Sequence, residues 1–374
     1  MKICIVIGAF LPVPPARGGA VEKMWYRLAL EFARFGHDVL MISKEFDGFP
    51  QEEVIDKVRH FRVPGFDTPR GALILKVFDL LYSRRACQAI PSDVDVIVTN
   101  TFWAPILVCN KMKMRVYVDV ARMPKGQMIL YRRAGRLRAN SSSVEDAIKA
   151  EIPKSQHRFV SKIPNPLPFE AIDIKTNTDL KPCMLYVGRV HPEKGIHLAI
   201  AAMRKMQNPW KFRIVGPLLT EEGGDEQYHK MLLSISKGLP IEFAGPIYDI
   251  ETLNQEYQQA SLFLYPSLAE RGETFGLAPL EAMAWGCVPV VSDLDCFKDF
   301  IDHNVNGLIF DHRSPDPVST LAAHLTYITS RPDVIQSISE RAIGVRISHS
   351  PQAIARMFLE DFSAVAKHAQ IAFV

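Results

Sequence analysis

Leu262-Phe-Leu-Tyr-Pro-Ser267, Glu273-Thr-Phe-Gly-Leu-Ala-Pro-Leu-Glu281 and Cys287-Val-Pro-Val-Val291 follow one another in the second half of the chain. The first and last are short apolar runs without polar alternation, as buried parallel strands read. Between them, Phe275-Gly276-Leu277 opens a helix that runs through Glu281, Ala282, Met283 and Ala284 to Trp285-Gly286. A strand, a loop, a helix and a strand in that order form the unit of a parallel α/β sheet. Glu273 falls in the loop and Glu281 inside the helix. First-turn N–H groups have no intrahelical acceptor and can hold an anion, and Gly276 lets a ligand approach the backbone. Two carboxylates for hydroxyls beside N–H groups for a phosphate suit a sugar nucleotide. Taken alone, the pair reads first as a helix-start carboxylate favoured by the dipole and a solvated helix residue; the rest of the chain changes that.

The unit recurs upstream. Cys183-Met-Leu-Tyr-Val187 is a strand, followed by Gly188-Arg189-Val190-His191-Pro192-Glu193-Lys194-Gly195 and a helix from Ile196. Arg189 and Lys194 put two cations on one strand–helix loop, where they oppose a diphosphate. Phe212–Gly216 and Ile241–Gly245 are further strands. Ile163-Pro-Asn-Pro-Leu-Pro168 is a proline-rich connector and a natural domain boundary.

Before the connector the alternation is the same. Strand Ile3–Ile7 leads through a loop ending Arg17-Gly18-Gly19 to a helix with apolar residues at Val21, Met24, Trp25, Leu28, Ala29 and Phe32. The strands Asp38–Ile42, Val94–Val98 and Arg115–Val118 follow, with one or two helices between Gly65 and Ile90. Gly18 and Gly19 at a helix start can hold a phosphate, or form a plain turn. Asp119 lies at the carboxyl end of its run, where open α/β sheets place ligands. Lys125, Arg132, Arg133, Arg136 and Arg138 fall in a segment from 125 to 138 with interleaved apolar residues and no acid. Such a segment suits an anionic membrane, an anionic acceptor or a solvated helix face.

The 374 residues suggest two domains, and 48% apolar content is that of a globular chain. A net charge of +3 gives no argument for nucleic acid. The six cysteines are scattered without zinc spacing and read as reduced thiols of a cytoplasmic protein. The apolar start at 1–7 is a first strand and not a signal peptide. No run reaches the ~20 apolar residues of a spanning helix, so any membrane contact is expected to be peripheral, with the inner face as its place.

These motifs together resemble glycosyltransferase family 4, retaining enzymes of the GT-B fold. The resemblance covers most of the chain and is strongest from Ile163 to Phe310. The family's two-glutamate element reads Glu273…Glu281, its V-G-R…K-G element Val187-Gly188-Arg189…Lys194-Gly195, and its interdomain I-P-N-P Ile163–Pro166. Its G-G loop reads Gly18-Gly19, its E-A-M-A-x-G-x-P-V Glu281–Val290, and its late N-G turn Asn306-Gly307-Leu308.

The resemblance implies two Rossmann-like, doubly wound domains facing a central cleft. Residues 1–163 form the acceptor-side domain and 164–351 the nucleotide-sugar domain, with a last helix at about 352–374 packing back on the first. It implies transfer of a sugar from a nucleoside diphosphate sugar to a glycan, lipid-linked or small-molecule acceptor, in cell-surface polysaccharide or glycoconjugate synthesis. Glu273 would bond donor-sugar hydroxyls and Glu281 the ribose. The backbone at Phe275, Gly276 and Leu277 would hold sugar and phosphate. Arg189 and Lys194, on the loop that Gly188 opens, would neutralise the leaving diphosphate, so that no metal or other cofactor is required. Gly18 and Gly19 would close over it. Two departures stand out. Where many members carry a histidine, the nearest residue is Asp119, kept as a catalytic candidate. Where members often carry Gly-Gly, the chain has Leu294-Asp295-Cys296-Phe297. The competing readings are a GT-B sugar-nucleotide epimerase and a catalytically inactive sugar-nucleotide-binding protein. Neither half carries the G-x-G-x-x-G of a nicotinamide dehydrogenase, which argues against that reading.

Overall fold

The computed structural model describes residues 1–15, 19–69, 71–171 and 180–371. The chain divides into two compact units, Met1–Phe169 with His349–Val374, and Glu170–Ser348.

The first unit is built on β1 (Lys2–Val6), α1 (Ala20–Arg34), β2 (Asp38–Lys44), β3 (Glu52–Ile55), β4 (Val58–Val63), α2 (Ala72–Gln88), β5 (Val96–Thr99), α3 (Ala104–Leu107), β6 (Val116–Val120), β7 (Arg136–Ala139), α4 (Ser142–Glu151) and β8 (Val160–Lys162). The strand order is β3-β4-β2-β1-β5-β6-β7-β8, parallel throughout except for the edge pair β3–β4. Helices cover both faces, so strands such as β5 are buried at every position. The β3–β4 hairpin turns at Asp56 and Lys57, both with positive φ. Its alternately exposed edge strand carries neither an apolar run nor an Asn-Gly turn, so nothing in the local pattern announces it.

The second unit holds β9 (Cys183–Val187), α5 (Ile196–Arg204), β10 (Lys211–Val215), α6 (Glu226–Ile235), β11 (Ile241–Gly245), α7 (Ile250–Gln258), β12 (Leu262–Tyr265), α8 (Leu277–Ala284), β13 (Val288–Ser292), β14 (Leu308–Phe310), α9 (Pro317–Thr329), α10 (Pro332–Ala342) and α11 (Val345–Ser348). Its order is β11-β10-β9-β12-β13-β14, all parallel. In each sheet the chain winds outward on one side and then returns to the other. The reversal falls between β1 and β5 in the first unit and between β9 and β12 in the second. Crevices at the carboxyl ends of strands flanking such a reversal are where these sheets bind ligands.

The last helix, α12 (Pro351–Ile371), belongs to the first unit. Ile354, Phe358 and Phe362 are fully buried. Phe358 packs on Trp25 with ring centroids 5.0 Å apart, and Phe362 on Tyr117 at 4.8 Å. Asp361 accepts from Tyr117 Oη at 2.9 Å and Ser161 Oγ at 2.7 Å and pairs with Arg136 at 2.6 Å.

Candidate active site

In the second unit, the loop after β9 and the loop after β12 lie side by side at the reversal point. Leu268 N donates to Glu193 O at 2.7 Å. Gly195 adopts a left-handed conformation, and a Cβ there would overlap the Pro266 carbonyl. Glycine is thus what lets the two loops touch. The contact brings Lys194 to Glu273, Nζ to Oε2 2.7 Å, with both side chains about nine-tenths buried (9% and 11% exposed). The same Oε2 accepts from Tyr265 Oη at 3.2 Å and Ser267 Oγ at 3.3 Å. Lys194 Nζ also stands 5.4 Å from the Tyr265 ring centroid. Tyr265 is buried, its hydroxyl held well above the usual phenol range by desolvation and then by the Glu273 charge, so it acts as a fixed donor.

Arg189, Glu193 and Glu281 are held differently. Arg189 is half-exposed, pairs with Glu193 at 2.6 Å and reaches Gly223 O at 3.4 Å. Glu193 therefore sets the direction of Arg189, a role the sequence analysis did not assign. Glu281 accepts from Tyr257 Oη at 3.0 Å, and Tyr257 is fully buried. Gly276 caps α8 in the left-handed region, where a Cβ would overlap the Phe297 ring. Phe275 turns inward onto Phe300, 5.3 Å between centroids, leaving its backbone at the helix start. Leu277 and Ala278 offer first-turn N–H groups, and Pro279 has none to offer. Leu294, Cys296 and Phe297 are all buried. That loop is support beneath Gly276, with Phe297 reaching on to Tyr265 at 6.0 Å. Gly188 leaves β9 with its N–H bonded to Val215 O at 2.9 Å.

In the first unit, Gly8, Asn100 and Glu22 meet at the β1–β5 reversal. A methyl on Gly8 would stand 3.6 Å from Asn100 Nδ2 and 3.7 Å from Glu22 Oε1. Gly19 caps α1 at φ 88. Burial raises the Glu22 carboxyl above its ordinary range. Glu22 and Asn100 were not singled out from sequence; that the first turn of α1 and the end of β5 meet beside Gly8 becomes visible only with the strand order. Arg17 and Gly18 lie outside the described residues.

Two expectations are corrected. Asp119 is an interior residue of β6, directly opposite Arg138 on β7. Both side chains are fully buried and pair at 2.7 Å, while Trp25 Nε1 donates to the other Asp119 oxygen at 2.7 Å. Arg138 also bonds Ile163 O and Asn165 Oδ1 at 2.8 Å each and lies over the Phe358 ring. Asp119 is committed to this buried network, each of its two oxygens already accepting from a fixed donor. The segment 125–138 is not a helix. It contains a 3-10 turn at Met128–Tyr131 and then β7. Lys125, Arg132 and Arg133 are exposed, but Arg136 is tied to Asp361 and Arg138 to Asp119.

Residues 169–343 match the family of glycosyl transferases group 1. That span takes in Arg189, Lys194, Glu273 and Glu281. An uncharacterized glycosyltransferase of Methanocaldococcus jannaschii is 25% identical over 85% of this chain and 87% of its own. The lipopolysaccharide 1,2-N-acetylglucosaminetransferase of Salmonella typhimurium is 23% identical over 82% of this chain and 84% of its own. The crystal structure of Anabaena HepE in complex with UDP-glucose superposes with a TM-score of 0.70, at 18% identity, over 97% of this chain and all of HepE. The fold is GT-B, two Rossmann-like α/β units with parallel sheets. The glycosyl transferases group 1 match falls on the unit in which loop contact has buried a lysine–glutamate pair beside a helix start.

Proposed function

We propose that the protein is a retaining glycosyltransferase of family 4 that moves a sugar from a nucleoside diphosphate sugar to a glycan, lipid-linked or small-molecule acceptor. The observation that carries the reading is the buried Lys194–Glu273 pair at the β9–β12 reversal, next to the α8 N-terminus. Glu273 spends Oε2 on three donors, which fixes the carboxylate so that Oε1 can accept from sugar hydroxyls. Lys194 has further N–H bonds to give, and with Arg189 it stabilises the charge that grows on the departing diphosphate. Groups already oriented toward developing charge need little reorganisation in the transition state. The N–H groups of Leu277 and Ala278 and the backbone at Phe275 and Gly276 hold phosphate and sugar, with Gly188 opening the cationic loop. Glu281, oriented by Tyr257, binds the ribose, and Gly18 and Gly19 close on the donor. The acceptor attacks the face from which the nucleotide leaves, so the anomeric configuration is kept. Two side-chain cations take the part of a metal, and activity persists in chelator.

The group 1 match supports glycosyl transfer, and the UDP-glucose complex of HepE supports a sugar nucleotide as donor. The Salmonella relative, a lipopolysaccharide N-acetylglucosaminetransferase by name, supports an acceptor of the cell-surface glycoconjugate class, and we propose that the protein meets such an acceptor at the inner face of a membrane. The test is to incubate the protein with UDP-, GDP-, ADP- and dTDP-sugars and candidate acceptors, and to measure free nucleoside diphosphate and the anomer of the new glycoside. Turnover to an inverted product would refute retention. An epimerised sugar with no glycoside would refute transfer.

A further inference from the structure

We infer that the first unit docks on an anionic bilayer through the outer face of α2 and the turn at 128–131. The inference rests on the membrane part of the proposed function, and gives that contact a second element and an orientation. Five consecutive residues of α2, Leu73 to Val77, are exposed, and four of them are Leu, Ile, Leu and Val, with Leu73 77% exposed. Leu73, Val77 and Leu81 form one i, i+4, i+8 stripe, all exposed. The inner face of the same helix is occupied by Asp79, Tyr82, Ser83 and Ala86, all buried. A helix on a soluble surface normally turns charge outward, and a run of exposed apolar residues marks a binding surface.

A second apolar patch adjoins it. Ile129 and Leu130 are exposed in the turn at 128–131, Leu130 53%. The two patches flank Phe102 and Trp103. Trp103 Nε1 donates to Lys76 O at 2.9 Å, Lys76 Nζ lies 5.5 Å from the Phe102 ring, and Tyr131 Oη donates to Phe102 O at 2.9 Å.

The charges decide the partner. The exposed ionic groups on these two elements and in 121–133 are all cations: Lys76, Arg84, Arg122, Lys125, Arg132 and Arg133. The one acid of α2, Asp79, is buried and accepts from Phe102 N at 3.1 Å. Residues 121–138 contain no acid. The neighbouring Glu151 caps the Gly126 and Met128 amides. Leucine and isoleucine side chains among lysine and arginine, without exposed acids, complement a leaflet of anionic lipid. The position explains the use. α2 begins after β4, Phe102 follows β5, and 121–131 follows β6, all at the carboxyl edge of the parallel sheet. That edge is the ligand edge of such sheets, so docking there presents it to an acceptor carried in the bilayer.

The experiment is flotation of the full chain with vesicles of phosphatidylcholine alone and of phosphatidylcholine with one-third phosphatidylglycerol, without donor or acceptor. The wild type should float with the anionic vesicles only, and partition should fall as NaCl rises from about 0.1 M to about 0.5 M. The pair Leu73→Glu with Val77→Glu, and separately Arg132→Glu with Arg133→Glu, should each lower partition about tenfold or more. Melting temperatures should hold, since these side chains are exposed. Equal flotation with neutral vesicles, or double variants that float like the wild type, would overturn the inference. So would a chain that ignores vesicles and sizes as a dimer converted to monomer by Leu73→Glu with Val77→Glu, which would make a second copy the partner. Because no sugar chemistry enters, failure here is separate from failure of the transferase assay.

Discussion

Lys194 and Glu273 hold each other in a space with little water, which gives a mutation at either one two consequences. From sequence, Glu273→Gln looks harmless to the fold, because it preserves size. The structure says otherwise: the amide leaves a buried ammonium without its counter-charge, and breaking a buried pair costs about 3–5 kcal/mol. Glu273→Gln should therefore lower both the melting temperature and kcat, since a contact with the reacting sugar can tighten in the transition state. Glu281→Gln keeps a partner for the Tyr257 hydroxyl and should mainly raise donor KM. Near-normal kcat in Glu273→Gln would remove it from the site. A second expectation is a pH effect. His60 is 2% exposed, and both its ring nitrogens lack a partner among the described residues. Burial, then Arg62, pushes its pKa down to about 4. Between pH 6.5 and 4 the unfolded chain binds a proton that the folded chain refuses, so this contribution is present above pH 6.5 and lost as pH falls, up to about 3 kcal/mol. Asp79 works in the opposite sense. Burial raises it to about 6, and its contribution is lost as pH rises from about 4 to about 6. Melting curves against pH should show His60→Phe losing less stability on acidification than the wild type, and Asp79→Asn losing more. Parallel curves for all three would reject both assignments.

The helix α12 leaves the second unit's end of the chain and completes the first unit's core, and its energetics are concentrated in few residues. Phe358 touches Trp25, Phe32, Tyr117 and Arg138. Phe358→Ala should cost about 3–5 kcal/mol through lost burial and the cavity left behind. Asp361→Ala should cost less but would leave Arg136 and the Tyr117 hydroxyl without a shared acceptor. Urea titration would measure both, and a Phe358→Ala protein as stable as the wild type would mean that α12 is dispensable to the unit. What was legible beforehand follows from how each element announces itself. The buried parallel strands and the α1 stripe show in the local pattern of apolar residues, because one or both faces meet a core. The glycine and charge spacing of 188–195 and 273–281 is local too. β3 and β4 were missed because an edge hairpin alternates weakly and turns here through Asp56-Lys57. The run 125–138 was misread because a count of cations cannot show that Arg138 faces Asp119 across a strand pair, or that Arg136 meets Asp361 more than two hundred residues away. Pairing across the sheet, which also ties Asp119 to Arg138, is a property of register and strand order and leaves no trace in spacing.

Each unit has its own sheet and its own helices on both faces, so a single two-state transition is not expected of the whole chain. A donor held by Lys194, Glu273 and the α8 N-terminus binds only when the unit Glu170–Ser348 is folded, and should stabilise that unit by RT ln(1 + [L]/Kd), about 2.7 kcal/mol at a hundredfold excess over Kd. The matching nucleoside diphosphate sugar, found by screening UDP, GDP, ADP and dTDP donors, should thus raise one calorimetric transition. Phe358→Ala should lower the other. Hydrogen exchange gives the location independently. Protection on donor binding should be greatest in 188–195 and 266–284, because opening of those loops is what the ligand opposes, and Lys194→Ala should abolish most of it. The two readouts constrain each other. A donor that shifts a transition without protecting either loop would be binding elsewhere. Protection confined to the first unit would move the donor site to the β1–β5 reversal at Gly8, Glu22 and Asn100, and would overturn the assignment of Lys194 and Glu273 together.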